Sequence, residues 1–138
     1  MSKRAIALDV GDKRIGVAVS DPLGISITPL QPLQNDKSVF EKIEKLIKQY
    51  ETNVLVIGLP LTLKGEEGEQ AKKVKKFVEK LKDLIPEAKI EFIDERFTTS
   101  LAEKHLAQTT KKKKRKQKVD SLSAVYILKT YLDRNSML

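Results

Sequence analysis

The chain has 138 residues and no cysteine, and its 27 Lys and Arg against 19 Asp and Glu give a formal net charge of +8. This length predicts a single domain over residues 1–138, the absence of cysteine excludes disulfides and thiolate metal sites, and the positive balance favours polyanionic partners. The sequence has neither an apolar signal core nor a run of about 18 apolar residues, so we expect a cytoplasmic protein that does not cross a membrane.

Three strands are predicted at the start of the chain. Residues 5–8 and 15–19 are nearly continuous apolar runs on either side of a Gly/Asp break, a pattern typical of paired strands covered on both faces. Apolar and polar side chains alternate in residues 25–28, and Pro29 and Pro32 weaken the far end of this third strand and place it at the sheet edge. We expect the three strands to form an antiparallel meander.

Helices and strands then alternate. Apolar residues at helical spacing predict helices over 39–50 and 71–85, and the apolar runs 53–60 and 89–93 predict strands. Because a helix precedes each of these strands, crossover connections should make them parallel and buried. We therefore expect an α/β fold with a mixed five-stranded sheet, in which three antiparallel strands are followed by parallel ones, and helices on both faces.

Local signals predict where the helices begin. Asn35 and Asp36 are typical helix-start residues, and the Ser-x-x-Glu pattern from Ser38 has the spacing of a capping box. A short helix is expected after residues 98–100, which supply an N-cap, and the last helix is expected to start near Asp120.

The densest charge run lies before that last helix, where residues 111–118 read KKKKRKQK. Its cations include Lys112, Lys114 and Arg115. Because like charges at this density repel one another, we expect an exposed and mobile loop. Such a loop would hold a phosphate backbone without regard to sequence, and its binding would weaken steeply with salt.

Acidic residues end or open three of the predicted elements. Asp9 ends the first strand, Asp94 and Glu95 end the last strand, and Asp120 opens the final helix. If strands one, four and five are parallel neighbours, these carboxylates meet at one sheet edge, where they would repel each other unless Mg²⁺ or Mn²⁺ bound them. Two such ions about 4 Å apart can activate water for phosphodiester hydrolysis. The pattern favours a metal-dependent nuclease.

Each acidic group also has a simpler structural explanation. Asp9 could be a turn residue, Asp94 and Glu95 could belong to a surface ion network, and Asp120 could be an N-cap. The co-occurrence of the three groups, together with a cationic run before the third, favours the nuclease interpretation. Lys13, Arg14 and Arg96 adjoin the acids, and such cations can hold phosphates.

Several motifs together carry a resemblance to a known family. They are LDVGDKRIGVA at 8–18, VIGLP at 56–60, DERFTT at 94–99, and the basic run followed by Asp120 and AVYIL at 124–128. In this order they resemble the YqgF/RuvX family of Holliday-junction-resolvase-like proteins, whose members are also described as pre-16S rRNA nucleases. The resemblance covers nearly the whole chain.

The resemblance implies an RNase H-like fold and catalytic, metal-binding acids at Asp9, Glu95 and Asp120. Strand alternation alone does not choose between Asp94 and Glu95, and the family pattern selects Glu95. Ser123 departs from the small apolar residue that is more usual there, which affects packing and leaves the acids intact.

Several functions remain open at this point. The resemblance favours processing of the 5′ end of precursor 16S rRNA, with ribosomal precursor particles as partners. A Holliday-junction resolvase for DNA repair or recombination, or a non-catalytic ribosome-assembly factor that binds nucleic acid, are the alternatives. The Asp-x-Gly-x-x-x-x-Gly pattern at 9–16 also resembles the phosphate loop of the sugar kinase and actin ATPases. Those proteins need a second lobe, for which 138 residues leave no room. The sequence does not assign an oligomeric state.

Overall fold

The computed structural model describes the backbone of residues 3–97 and 112–136, and the side chains of residues 3–96 and 122–135. Within these ranges the chain forms five strands, three α-helices and one 3₁₀ turn. They are β1 (Ile6–Val10), β2 (Arg14–Ser20), β3 (Ile27–Gln34), α1 (Val39–Tyr50), β4 (Val54–Leu59), α2 (Glu69–Leu84), β5 (Lys89–Asp94), the 3₁₀ turn (Glu95–Phe97) and α3 (Lys112–Ser136). The short helix expected after residues 98–100 lies outside the described residues.

The strands form one mixed sheet in the order β3-β2-β1-β4-β5. The first three strands pair antiparallel as a meander, whereas β4 pairs parallel with β1 and β5 pairs parallel with β4. Both parts of the predicted topology are confirmed. Because β1, β4 and β5 run in the same direction, their carboxyl ends meet at one edge of the sheet, and β1 lies at its centre.

A hydrophobic cluster lies on each face of the sheet. Apolar residues of α1 and α2 cover the face that carries Ile6, Leu8 and Ile57. On the other face, α3 packs against a surface of small side chains that includes Ala5 and Ala7. Since successive strand side chains point to opposite faces, two covered faces require apolar residues at nearly every position, as the central strands have. Within the described parts of the chain, no helix is long and apolar enough to cross a membrane.

The third strand is longer than its prolines predicted. β3 continues through Pro29 and Pro32 to Gln34, and Pro29 pairs with Ala18 of β2. The expected edge position is confirmed, and it explains the length, because a proline in an edge strand can direct its missing N–H away from the neighbouring strand.

The predicted capping box of α1 is wrong. Ser38 precedes the helix with φ −87° and ψ −2°, and its side chain makes no capping hydrogen bond. An N-cap side chain needs an extended backbone to reach the free N–H groups, and Ser38 is already helical. Instead, Oδ1 of Asp36 accepts hydrogen bonds from the Ser38 amide at 2.9 Å and from its hydroxyl at 2.7 Å.

The predicted loop in the basic run is also wrong, because α3 begins at Lys112 and includes residues 112–118. Lys, Arg and Gln are good helix formers, and repulsion between like charges at i,i+4 costs only about 0.2–0.5 kcal/mol per pair. Asp120 therefore lies inside α3 and does not start it, which excludes its simpler explanation as an N-cap.

Candidate functional site

Asp9 lies on β1 in a gap between two glycines. The β1–β2 ladder places Asp9 opposite Gly16, and the β1–β4 ladder ends with Leu8 opposite Ile57, so the next residue of β4, Gly58, is alongside Asp9. Strand alternation puts Asp9 on the face covered by α3, because Leu8 packs on the opposite face. The neighbouring strands therefore place no side chain beside this half-buried carboxylate on either flank.

Glu95 is the first residue after β5, and its side chain lies over Gly58. A Cβ atom built on Gly58 would lie 2.9 Å from Cδ of Glu95 and closer still to its Oε1, so the carboxylate is seated over Gly58. Neighbouring strands are about 4.8 Å apart. Gly58 is thus next to Asp9 and beneath Glu95, and the two acids lie on one face of the sheet at the edge where the parallel strands end.

Asp94 has a different partner. Its carboxylate accepts hydrogen bonds from Arg96, at 2.9 Å from Nε to Oδ2 and 2.6 Å from Nη2 to Oδ2. The bonds from the Arg96 side chain hold the pKa of Asp94 below its usual value of 3.8. Asp94 thus belongs to the ion pair that was considered as its simpler explanation, and Glu95 is the acid seated over Gly58.

The β1–β2 turn carries the first two predicted phosphate contacts. The Gly11 amide donates to the Arg14 carbonyl at 2.9 Å, and a Cβ on Gly11 would lie 2.7 Å from that oxygen, so the turn requires glycine. Asn35 braces the turn, because its side-chain amide donates to the Gly11 carbonyl at 2.8 Å and its backbone N–H donates to the Lys13 carbonyl at 2.9 Å. Lys13 is exposed and Arg14 is half-buried at this rim.

Helix α3 forms the wall of the site above Gly58. Ile127 packs there so closely that a Cβ on Gly58 would lie 2.5 Å from its Cδ1 atom. Asp120 lies in the same helix, seven residues earlier, and Lys112, Lys114 and Arg115 lie in its first turns. The side chains of these four residues are outside the described part, so their predicted roles stay predictions. Among the described side chains, no three His, Cys, Asp or Glu residues form a metal cluster.

The sequence interpretation did not identify two residues that shape this site, Gly58 and Asn35. The signal for Gly58 was present, because a glycine inside an otherwise apolar strand often marks a close approach of another group. Asn35 gave no such signal, since its spacing before α1 fitted a helix start equally well.

Comparisons with known proteins agree on the family. The family model described as "RuvX: Holliday junction resolvase" matches residues 3–134. A protein of Sulfurihydrogenibium sp. (strain YO3AOP1) is 65% identical over 134 residues, covering 96% of this chain and 92% of its own. A protein of Fusobacterium nucleatum is 45% identical over 135 residues, covering 95% and 97%. Both relatives carry the name "Putative pre-16S rRNA nuclease".

Solved structures of low sequence identity share the fold. The RuvC protein of T. thermophilus, in complex with a Holliday junction substrate, has a TM-score of 0.54 at 7% identity and covers 96% of each chain. A Fowlpox virus resolvase, in complex with Holliday junction DNA, has a TM-score of 0.57 at 12% identity and covers 96% of this chain and 98% of its own. The fold is that of RuvC-like resolvases, an RNase H-like mixed sheet, and the chain belongs to the RuvX family.

Proposed function

We propose that this protein is a metal-dependent nuclease that hydrolyses phosphodiester bonds in structured nucleic acid. The observation that supports it most directly is the seating of Glu95 over Gly58, beside Asp9, in a chain of the RuvX family. Two carboxylates that converge over glycines, at the edge where the parallel strands end, supply the oxygen ligands that a divalent cation prefers. Neither a turn residue nor a surface ion pair requires glycines on both neighbouring strands.

The donor set fits Mg²⁺ or Mn²⁺. Carboxylate oxygens are the protein ligands that Mg²⁺ prefers, and it typically takes one or two of them together with water and substrate phosphates. Asp9 and Glu95 would hold the metal, which would supply an activated water and neutralise charge on the leaving oxygen. Asp120 would complete the site. Helical periodicity puts position 120 on the same side of α3 as position 127, which packs on Gly58.

The chain's cations would hold the substrate around this gap. Lys13 and Arg14 are fixed at the rim by the braced β1–β2 turn. The basic start of α3, with Lys112, Lys114 and Arg115, would bind further phosphates through charge alone. The formal net charge of +8 agrees with a polyanionic substrate.

The proposed substrate is the 5′ end of precursor 16S rRNA, with ribosomal precursor particles as partners in the cytoplasm. Support comes from the printed names of the relatives at 65% and 45% identity. The description of the matching family model favours a second candidate, cleavage of Holliday junctions in DNA. Both substrates are branched or folded polyanions, and the same two acids would act on either.

A cleavage panel tests the proposal. Purified protein is incubated with precursor rRNA ends and with four-way DNA junctions, in Mg²⁺, in Mn²⁺ and in EDTA. We expect cleavage of one class that requires the metal. Asp9→Asn should abolish cleavage and leave affinity for the uncleaved substrate equal or tighter, because a negative charge facing the phosphates is removed.

Asp12→Asn is the matched control for Asp9→Asn. Asp12 is exposed on the adjacent turn and forms an ion pair with Lys73 at 3.6 Å, so its loss should leave cleavage intact. Failure of the wild-type protein to cleave either class in Mn²⁺ would refute the nuclease proposal. Binding without cleavage would instead support the non-catalytic assembly factor.

A further inference from the structure

The side chain of Arg96 is held on several sides. Its Nε and Nη2 atoms donate to the Asp94 carboxylate, and its Nη1 donates to the backbone carbonyl of Leu63 at 3.3 Å. Its own backbone N–H also donates to Oδ1 of Asp94, at 2.9 Å. One arginine therefore connects the end of β5 with the segment between β4 and α2.

That segment contains a closed turn, residues 62–66, which is seated on the guanidinium group. The Gly65 amide donates to the Thr62 carbonyl at 2.8 Å, and the Thr62 amide donates to the Glu66 carbonyl at 2.9 Å. Gly65 has φ +81°, and a Cβ there would lie 3.2 and 3.4 Å from Nη1 and Nη2 of Arg96. Glycine thus gives this turn both its backbone conformation and its close contact with Arg96.

In the sequence, Glu95 lies between Asp94 and Arg96, the two members of the ion pair. The hydrogen bond from the Arg96 backbone N–H to the Asp94 carboxylate spans the backbone of Glu95. The ion pair between the Arg96 guanidinium and the Asp94 carboxylate connects the same two residues a second time. The backbone that carries Glu95 is therefore fixed on both sides, while the carboxylate of Glu95 is confined by Gly58 and Ile127.

We infer that Arg96 is a positioning residue, which orients Glu95 and holds the 62–66 turn at the site, and that it does not contact substrate phosphate. The inference rests on the proposed function, because it takes Glu95 as a catalytic acid. It revises the expectation that Arg96 binds phosphate. The Asp94 carboxylate neutralises the guanidinium, so the pair presents little net charge to a polyanion.

Two variants separate positioning from phosphate binding. Arg96→Gln removes the charge and most of the contacts, whereas Arg96→Lys keeps the charge but cannot span Asp94 and Leu63, because its ammonium is a single point. If Arg96 positions Glu95, both variants should lower kcat about 10–100-fold, as loss of supporting contacts around metal-binding carboxylates does. Measured in an Asp9→Asn background, nucleic-acid affinity and its salt dependence should stay within about twofold of the parent.

Trypsin cleavage after Lys64 reports on the turn itself and needs no catalysis. Lys64 lies at the exposed tip of the 62–66 turn, so release of the turn from Arg96 should make this bond more accessible. We expect faster cleavage there in both Arg96 variants under native conditions. Lys13→Gln is the matched control, in which binding should weaken, the salt slope should fall by about 0.7–0.9, and cleavage after Lys64 should not change.

The outcomes are distinct. Weaker binding in Arg96→Gln that Arg96→Lys restores would make Arg96 a phosphate contact and overturn the inference. Unchanged trypsin cleavage after Lys64 in Arg96→Gln would also overturn it, whatever the activity. A wild-type chain that cleaves no substrate would refute the proposed function. The rate of trypsin cleavage after Lys64 would still test whether Arg96 holds the 62–66 turn. If Arg96→Gln does not fold, Asp94→Asn serves as the second variant, with a lower kcat and faster cleavage after Lys64 as the expected results; its affinity is not compared, because it leaves the charge of Arg96 without its partner.

Discussion

Gly58 gives the sharpest test of the site, because one added methyl group should displace a proposed catalytic carboxylate. In Gly58→Ala, the new Cβ would lie 2.5 Å from Cδ1 of Ile127 and 2.9 Å from Cδ of Glu95, and still closer to Oε1 of Glu95. Carbon atoms in van der Waals contact are about 3.5–4.0 Å apart, so these neighbours must move by roughly 1 Å or more. Both are the far ends of side chains, and Glu95 can swing towards solvent.

The expected effect on stability is moderate. Overpacking of a core position costs about 1–3 kcal/mol, and Gly→Ala returns about 0.4–1 kcal/mol by restricting the unfolded chain, which leaves a net loss of roughly 1–2 kcal/mol. For a chain of this size that corresponds to a decrease in Tm of about 3–8 °C. Activity should suffer more, because a displacement of about 1 Å in a catalytic group can lower the rate about 100-fold.

Thermal unfolding and single-turnover cleavage, measured on the same samples, check this prediction. Gly68→Ala is the matched control, since a Cβ there would lie 3.4 Å from Cγ2 of Thr62, an ordinary contact, and activity should be retained. If Gly58→Ala kept wild-type activity and Tm, Glu95 would not be seated over Gly58 and the proposed pairing with Asp9 would be refuted.

Two further predictions concern the basic start of α3 and the turn that precedes α1. Replacing Lys112, Lys114 and Arg115 by Gln should weaken binding to every nucleic acid tested and make the salt dependence shallower by roughly 2–3 in a log–log plot, and an unchanged slope would remove this stretch from the binding surface. For Asp36, hydrogen bonds from the Ser38 hydroxyl and amide lower the pKa of the folded state below 3.8, so its stabilisation is fully present above that value and is lost as pH falls through the folded pKa. Asp36→Asn should therefore lower Tm at neutral pH, and a gap that persisted in acid would contradict this linkage.

The sheet could be predicted from the sequence because each part of its topology has a local signal. Continuous apolar runs imply strands covered on both faces, and a helix between two strands implies a parallel crossover. The meander, the edge position of β3 and the parallel direction of β4 and β5 follow from these signals, whereas from the sequence it is only an assumption that β1, β4 and β5 are neighbours, and the structure gives their order. The start of α3 could not be predicted, because the seven cations in residues 111–118 give opposing signals. Their mutual repulsion favours an exposed loop, whereas their intrinsic propensity favours a helix.

The site could be predicted only in part, because its decisive contacts are long-range. Asp9 was identified from its position at the end of a buried strand. The alternation of side chains along β5 could not show which of Asp94 and Glu95 faces the site. The strand ends at Asp94 and a 3₁₀ turn begins at Glu95, so the period of two residues is interrupted between them. The seating of Glu95 on Gly58 joins residues 37 positions apart, and no local pattern encodes it.

The central position of β1 and the outer position of β5 give the two acids unequal local stability. β1 is hydrogen-bonded to strands on both sides, whereas β5 pairs with β4 alone among the described strands. The free energy of local opening is lowest at the outer elements of a protein and approaches the global free energy of unfolding in core strands. Transient detachment of β5 would separate Glu95 from Asp9 while the rest of the sheet stayed folded. Any ligand that bridges the two acids must oppose this detachment. Adding such a ligand should therefore slow amide hydrogen exchange in β5 more than in β1, which would report that the site is occupied without any cleavage.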